Sequence, residues 1–342
     1  MLSETEIGIK LSRMGPLSMH EAEELMVSIA QPEISSETRY EFLAILKERG
    51  ETAGELSGFA SGIRKLSPIT RIPGTMDIVG TGADGKKTIN VSTAAALVCS
   101  ALGLKISKHG NRAVTGIFGS ADFLEKNGYS FDFSQPEAED RVSRLNFLFV
   151  LANLHNPAFG RFREARKRIR GETVFNLLGP ITNPCDPDRS VIGCNAPNKV
   201  SVYERVLHRL GKDGVIICSE DGLDEISPSA PSTVSFVNGG IFSKTIDPME
   251  EFGVKFDIDD LTGTTPEEIY SKTMSSLSGD SDRGASFIAM NAAPALLISN
   301  AAGSLGEGYN IALKCIKTKR ALALLKRVGN LGNDSEVGEI HD

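Results

Sequence analysis

The sequence predicts an α/β protein: a small N-terminal all-α domain over residues 1–70, then a larger α/β domain over 71–335 with a mostly parallel central sheet flanked by helices. Three observations carry this. Residues 1 to 68 hold helix signals and no convincing strand. After Pro73, short apolar strands alternate with helical stretches, the pattern of repeated βαβ units. The length, 342 residues of which 40% are hydrophobic and 24% charged, suits two soluble domains with cores of their own.

The elements follow in order. Ser18-Met-His-Glu21 and Thr52-Ala-Gly-Glu55 have capping-box spacing, in which a hydroxyl and a carboxylate satisfy each other's backbone N–H. Apolar residues at helical intervals follow each box; Leu56, Phe59, Ile63 and Leu66 share one face, and Pro68 closes the run. Such apolar stripes can equally form a dimer face. Residues 76–79 read as a strand that enters a glycine-rich turn. A helix over 93–102, stopped by Gly103, and a strand over 104–107 come next. Further strands are expected at 147–151, 191–194, 215–218 and 233–237, with helices between several of them, for example 199–210. The alanine- and leucine-rich stretch 285–328 reads as helical, and the Ser/Gly/Asp cluster at 275–284 as a loop.

Composition excludes several functions. Acidic side chains outnumber basic ones 44 to 37, a formal charge of -7, so the chain lacks the basic excess of a duplex-DNA binder while leaving room for a local basic pocket. No window approaches the ~20 consecutive apolar residues of a membrane span. The charged, interrupted N-terminus does not read as a signal peptide. Cys99, Cys185, Cys194, Cys218 and Cys315 are scattered, odd in number and without a CxxC pair, which fits neither a disulfide framework nor a zinc site. A cytoplasmic protein with no membrane or nucleic-acid partner is expected.

The chemistry concentrates in two loops. Asp77-Ile-Val-Gly80-Thr-Gly82-Ala83-Asp84-Gly85 lies between a strand and a helix, where small residues let backbone N–H groups approach an anion and the helix dipole assists. It is neither a Walker A loop, lacking Gly-Lys-Ser/Thr, nor a good Rossmann fingerprint, because the helix starts too late. The continuation Thr88-Ile-Asn90-Val91-Ser92-Thr93 carries more polar side chains than a single N-cap requires, which favours anion binding. Lys108-His109-Gly110-Asn111-Arg112 is read as the loop after the next strand, beside the first, as carboxyl-end loops of an open parallel sheet are. Gly116, Gly119 and Ser120 precede a helix over 121–127 and offer a third place for phosphate oxygens.

DIVGTGADGKKTINVST, KHGNRAVTGIFGSADFLE, TVFNLLGPITNP and DGLDEIS, in this order and spacing, resemble the anthranilate phosphoribosyltransferases of the nucleoside-phosphorylase-like superfamily, over about residues 5 to 330. The resemblance implies a helical domain hinged to an α/β domain, a homodimer through the helical domain, and Mg2+, up to two ions per subunit. It implies transfer of phosphoribose from phosphoribosyl pyrophosphate (PRPP) to anthranilate, in tryptophan biosynthesis. The implied PRPP contacts are Gly80, Ala83, Asp84, Thr88, Asn90, Val91, Ser92, Thr93, Lys108, His109, Gly110, Asn111, Arg112, Ala113, Val114, Thr115, Gly116 and Ser120, with Lys108 the electrostatic catalyst. Anthranilate contacts fall on Gly80, Asn111 and Arg166, and metal ligands on Ser92, Asp224 and Glu225. Most arginines of the 161–170 run should simply face water, Arg166 excepted. An Asp-Glu pair in a loop suits Mg2+, which takes carboxylate oxygens and shared phosphates. The pattern departs from the family at Ala83, Thr115, Phe118, His155-Asn156-Pro157 and Arg170–Thr173, mostly on the acceptor side. Those departures leave open another aromatic acceptor, and a non-catalytic binding protein on the same fold is a further alternative. The total absence of tryptophan agrees with an enzyme needed when tryptophan is scarce, though chance explains it as well.

Overall fold

The computed structural model describes residues 1–13, 15–82, 85–113 and 117–330. Four helices open the chain: α1 (Glu4–Leu11), α2 (Met19–Ile29), α3 (Ser36–Arg49) and α4 (Ala53–Arg64). Both expected capping boxes form, and a third, Ser3 with Glu6, opens α1. Leu56, Phe59 and Ile63 are fully buried, and Leu66, beyond the end of α4, is half-buried.

Seven strands make one sheet: β1 (Met76–Gly80), β2 (Ile106–Gly110), β3 (Phe147–Leu151), β4 (Arg189–Gly193), β5 (Asp213–Ser219), β6 (Ser232–Val237) and β7 (Ile241–Ile246). Their spatial order is β3-β2-β1-β4-β5-β6-β7. The first five are parallel, and β6 and β7 join antiparallel. Strand order therefore reverses between β1 and β4, and the carboxyl ends of these two strands open the crevice where such sheets bind ligands. Two expectations are corrected here. β7 went unforeseen, because its mostly exposed residues include Ser243, Lys244 and Thr245 and show no apolar face. β2 begins two residues later than expected and runs on to Gly110, so Lys108, His109 and Gly110 lie in the strand and not in a loop after it.

Between the strands lie α5 (Val91–Ala101), α6 (Ser120–Lys126), α7 (Gln135–Leu145), α8 (Ala152–His155), α9 (Pro157–Arg161), α10 (Arg163–Arg168), α11 (Val174–Leu178) and α12 (Pro197–Arg209). The chain ends in α13 (Pro248–Phe252), α14 (Pro266–Leu277), α15 (Asp282–Ile298), α16 (Leu305–Lys317) and α17 (Arg320–Gly329). The loop expected at 275–284 shrinks to 278–281, because Ser275, Ser276 and Leu277 finish α14 and Asp282 already belongs to α15.

The sheet is covered on both faces, which is why β3 and the middles of β4 and β5 read as apolar runs. Ile78, Val191 and Val215 face a core built with α5 and α15 to α17. Their neighbours Val79, Ile192 and Ile216 face the opposite core, which continues through α9–α12 into α2, α3 and α4. Phe42 of α3 meets Phe59 and Phe162 edge-on at 5.4 and 6.1 Å, and Phe162 packs on Phe175 at 4.6 Å. One arginine expected to face water is fastened here instead: Arg161, half-buried, donates to the Ala30 carbonyl at 2.5 Å. Arg168 is exposed as expected and makes a surface pair with Glu37 at 2.7 Å. Among the described residues, no helix is long and apolar enough to cross a membrane.

Candidate active site

The crevice is built on glycines that admit a carboxylate. A Cβ on Gly80 would lie 2.5 Å from Asp224 Oδ2, and one on Gly193 would overlap the Asp224 carbonyl oxygen. The β5–β6 loop that carries Asp224 thus crosses directly over the ends of β1 and β4. Asp224, 6% exposed, accepts from the Gly82 N–H at 2.7 Å and more loosely from the Thr81 hydroxyl at 3.4 Å. Beside it, Glu225 is half-buried. Hydroxyls brace the loop from behind: Ser219 Oγ donates to the Glu225 carbonyl at 2.5 Å, and Ser227 donates to Asp221 at 2.7 Å.

Lys108 is 2% exposed, an unusual place for an ammonium group. Its Nζ donates to the Ile78 carbonyl at 2.5 Å and to Ser92 Oγ at 3.2 Å. Burial pushes its pKa down to about 8, against the pull of the carboxylates of Asp77, Glu225 and Asp224. Asp77, fully buried on β1, is raised to about 6 by desolvation, opposed by Lys108, by the Asn183 amide at 2.9 Å and by the His109 N–H at 3.1 Å. Neither Asp77 nor Asn183 was singled out in the sequence. The available signals were an acid inside an apolar strand and an amide ending the NLLGPITN stretch.

Ser92 and Thr93 do not cap α5, whose first turn has no side-chain cap. Thr93 Oγ1 and the half-buried Asn90's Nδ2 are both buried and have no partner among the described residues. Uncapped helical N–H groups with two idle polar atoms are what an incoming phosphate or sugar satisfies. Val91 is buried at the start of the helix, and Thr88 forms an isolated bridge with Thr262. Gly110 closes β2, packed so tightly on Phe149 that a Cβ would come within 2.8 Å of the ring. Ala113 donates its N–H to Asp122 at 3.1 Å, and Ser120 opens α6. Arg112 turns away from the crevice, its guanidinium held by Glu125 at 2.6 Å and by Asp122 at 3.4 Å. Ala83, Asp84, Val114, Thr115 and Gly116 lie outside the described residues.

His109 is fully engaged with protein: Nδ1 meets the Gly179 carbonyl at 3.2 Å and Nε2 the Asn156 amide at 3.1 Å. Burial lowers its pKa to about 4, so the ring is neutral at pH 7. Asn111 Oδ1 accepts from the Arg112 N–H at 2.9 Å and from Asn153 at 3.0 Å, and among the described residues the Asn111 Nδ2 donors have no partner. Arg166, half-buried, rests 5.3 Å over the Phe175 ring, and its guanidinium has no hydrogen bond or ion pair among the described residues. His155 does not face the crevice; it stacks on Phe133 at 4.4 Å and bonds the Phe131 carbonyl.

Among the described residues, no group of three or more His, Cys, Asp or Glu side chains could enclose a metal. The donors near the crevice are two adjacent carboxylates and a hydroxyl. That set fits Mg2+, which keeps waters and shares substrate phosphates instead of filling a protein cage.

A family match, rather than the sheet alone, gives the class: the chain is among the glycosyl transferases. Residues 73–322 match the family model described as "Glycosyl transferase family, a/b domain". The anthranilate phosphoribosyltransferase of Thermoplasma acidophilum is 38% identical over 311 residues, covering 91% of this chain and 95% of that protein. That of Rubrobacter xylanophilus is 35% identical over 316 residues, covering 91% and 92%. The crystal structure of the Thermus thermophilus enzyme superposes with a TM-score of 0.86 at 32% identity, covering 94% of this chain and 98% of that one. The Saccharomyces cerevisiae enzyme in complex with PRPP and Mg gives a TM-score of 0.80 at 26% identity, covering 91% and 92%. The chain belongs to the anthranilate phosphoribosyltransferase family.

Proposed function

We propose that the protein transfers the phosphoribosyl group of PRPP to the amine of anthranilate, yielding N-(5-phosphoribosyl)anthranilate and pyrophosphate. The observation that carries this reading is the buried Lys108, held between the Ile78 carbonyl and Ser92 beside the Asp224 loop, at the switch point of the sheet. Breaking the anomeric C–O bond builds positive charge on the sugar and negative charge on the departing diphosphate. A preorganised ammonium group and the uncapped end of α5 stabilise that negative charge without covalent chemistry. The diphosphate lies along 80–93 and 108–120 in this reading. Ser92, Asp224 and Glu225 hold up to two Mg2+ ions, which when bound neutralise the leaving group.

Arg166 and Asn111 serve the acceptor. The planar guanidinium of Arg166, lacking a partner and stacked on Phe175, suits a bidentate grip on the anthranilate carboxylate. The Asn111 amide presents its donors to the same group, with the Gly80 backbone alongside. Anthranilate's amine is unprotonated at neutral pH, so orientation towards the anomeric carbon is the main requirement and no strong base is needed. The division into a helical unit over 1–70 and an α/β unit over 71–335 remains part of this proposal, supported by the family match beginning at 73. So do a homodimer through the helical unit, supported by the exposed Ile9 and Met19 of α1 and α2, and a cytoplasmic location.

The test is direct. Anthranilate fluorescence should fall when PRPP and Mg2+ are both present and hold steady when either is left out. Steady fluorescence with all components present would overturn the assignment.

A further inference from the structure

Asn156 is completely buried, and its amide has one arrangement that the surroundings allow. Nδ2 lies 3.0 Å from the Thr182 carbonyl and 3.1 Å from His109 Nε2. A carbonyl oxygen can only accept, so the atom facing Thr182 must be the NH2 nitrogen. The same logic fixes the imidazole: the Gly179 carbonyl, 3.2 Å from Nδ1, requires the proton on that nitrogen. Nε2 is then the acceptor and Asn156 its donor. The Thr182 hydroxyl donates to the Leu178 carbonyl at 2.9 Å and lies 3.3 Å from the Gly179 carbonyl that His109 meets. Asn156 Oδ1 is buried without a partner, so the two donated bonds alone set the amide.

We propose that Asn156 is a positioning residue: by donating to Nε2 it holds His109 as the neutral, Nδ1-protonated tautomer, and so ties β2 to the segment that carries Arg166. β2 supplies Lys108 and leads into Asn111, and its His109 N–H is anchored on Asp77. The 156–182 segment contributes Arg166, Phe175 and the Gly179 carbonyl. The ring and the amide are thus the joint between the phosphate side and the acceptor side of the crevice. Lys108 on the same strand and His155 in the preceding turn both disfavour a charged ring, and Asp77 faces only its backbone. The proposal rests on the acceptor-side roles given above to Arg166 and Asn111.

Asn156→Asp keeps the shape and inverts the hydrogen-bond sense, since a carboxylate at this place must accept from Nε2. In 15N-histidine spectra, with His109 assigned by its loss in His109→Gln, the wild-type ring should stay neutral and Nδ1-protonated from about pH 5.5 to 8. In Asn156→Asp it should carry both protons at neutral pH. The anthranilate KM should rise about tenfold, within the range for disturbing one buried hydrogen bond. The PRPP KM should move less than about twofold. A wild-type ring protonated on Nε2 overturns the proposal without any variant. Equal rises in both KM values, in an Asn156→Asp protein that still melts cooperatively near wild type, overturn the coupling. Wild-type protein that turns over PRPP without using anthranilate refutes the acceptor assignment instead, and the histidine spectra still decide the tautomer.

Discussion

Gly80→Ala probes whether Asp224 sits where the chemistry needs it. The new methyl would lie 2.5 Å from Asp224 Oδ2 and 3.0 Å from Cγ. Ordinary contact starts near 3.4 Å, so the carboxylate must retreat by about 0.9 Å. That movement breaks the 2.7 Å bond from the Gly82 N–H, leaving a nearly buried carboxylate short of its best donor. A hydrogen bond to a charged group contributes about 1.5–3 kcal/mol, so kcat/KM for PRPP should fall about 10- to 150-fold. The Mg2+ concentration for half-maximal rate should rise in parallel. Because φ at Gly80 is not positive, alanine strains no backbone there, and Tm should drop only a few degrees. Steady-state kinetics against PRPP at several Mg2+ concentrations, with a melting curve, decide the matter. Kinetics within twofold of wild type, with an unchanged Mg2+ curve, would refute the placement of Asp224. Gly193→Ala is the contrast: its Cβ meets the Asp224 backbone, which no rotamer change relieves, so stability and activity should fall together.

Arg166→Ala and Arg166→Lys should both raise the anthranilate KM with PRPP affinity little changed, because lysine keeps the charge but not the fork. The exposed Arg163, changed to Ala, is the control, and equal behaviour of the Arg163 and Arg166 variants would count against the clamp. Lys108→Met keeps most of the buried volume and removes the charge, so PRPP binding should weaken about 10- to 150-fold, for a loss of about 1.5–3 kcal/mol, while anthranilate binding is spared. A comparable loss for anthranilate, measured by fluorescence titration, would indicate misfolding. Glu4 staples α1 to α3 by accepting from the Ser35 N–H and the Thr38 hydroxyl, and the Ser35 hydroxyl, the Thr38 hydroxyl and the Ser35 N–H together hold its pKa down at about 2 against 4.5 for the free group. A depressed carboxyl stabilises above the unfolded value and loses that contribution as pH falls through the folded one. Protection of the α1 amides, corrected for the intrinsic pH dependence of exchange, should therefore fall between pH 4.5 and about 2 in the wild type, and Glu4→Gln should show a smaller fall, with Glu6 of the same helix keeping its own share.

Sequence alone determined whatever depends on neighbours a few residues apart. The capping boxes at Ser18 and Thr52 formed as read, because their hydrogen bonds span only three residues. β3 fell at 147–151 as expected, since an unbroken apolar run between polar turns has few other uses. The glycine loop, the polar start of α5 and the Asp224-Glu225 pair were likewise visible as residue types in order. What required the tertiary structure was which distant groups meet. Lys108 looked like a loop residue because an isolated lysine belongs in water; Asp77 on the adjacent strand and the Ser92 hydroxyl make its burial tolerable. Asp224 acquired its place from Gly80 and Gly193, whose missing side chains matter only once β1, β4 and the β5–β6 loop are stacked. Arg161 read as a solvated charge until the end of α2 supplied the Ala30 carbonyl. Local patterns are set by the covalent chain, whereas a buried charge is set by the partners that folding brings to it, and those partners lie up to about 140 residues away.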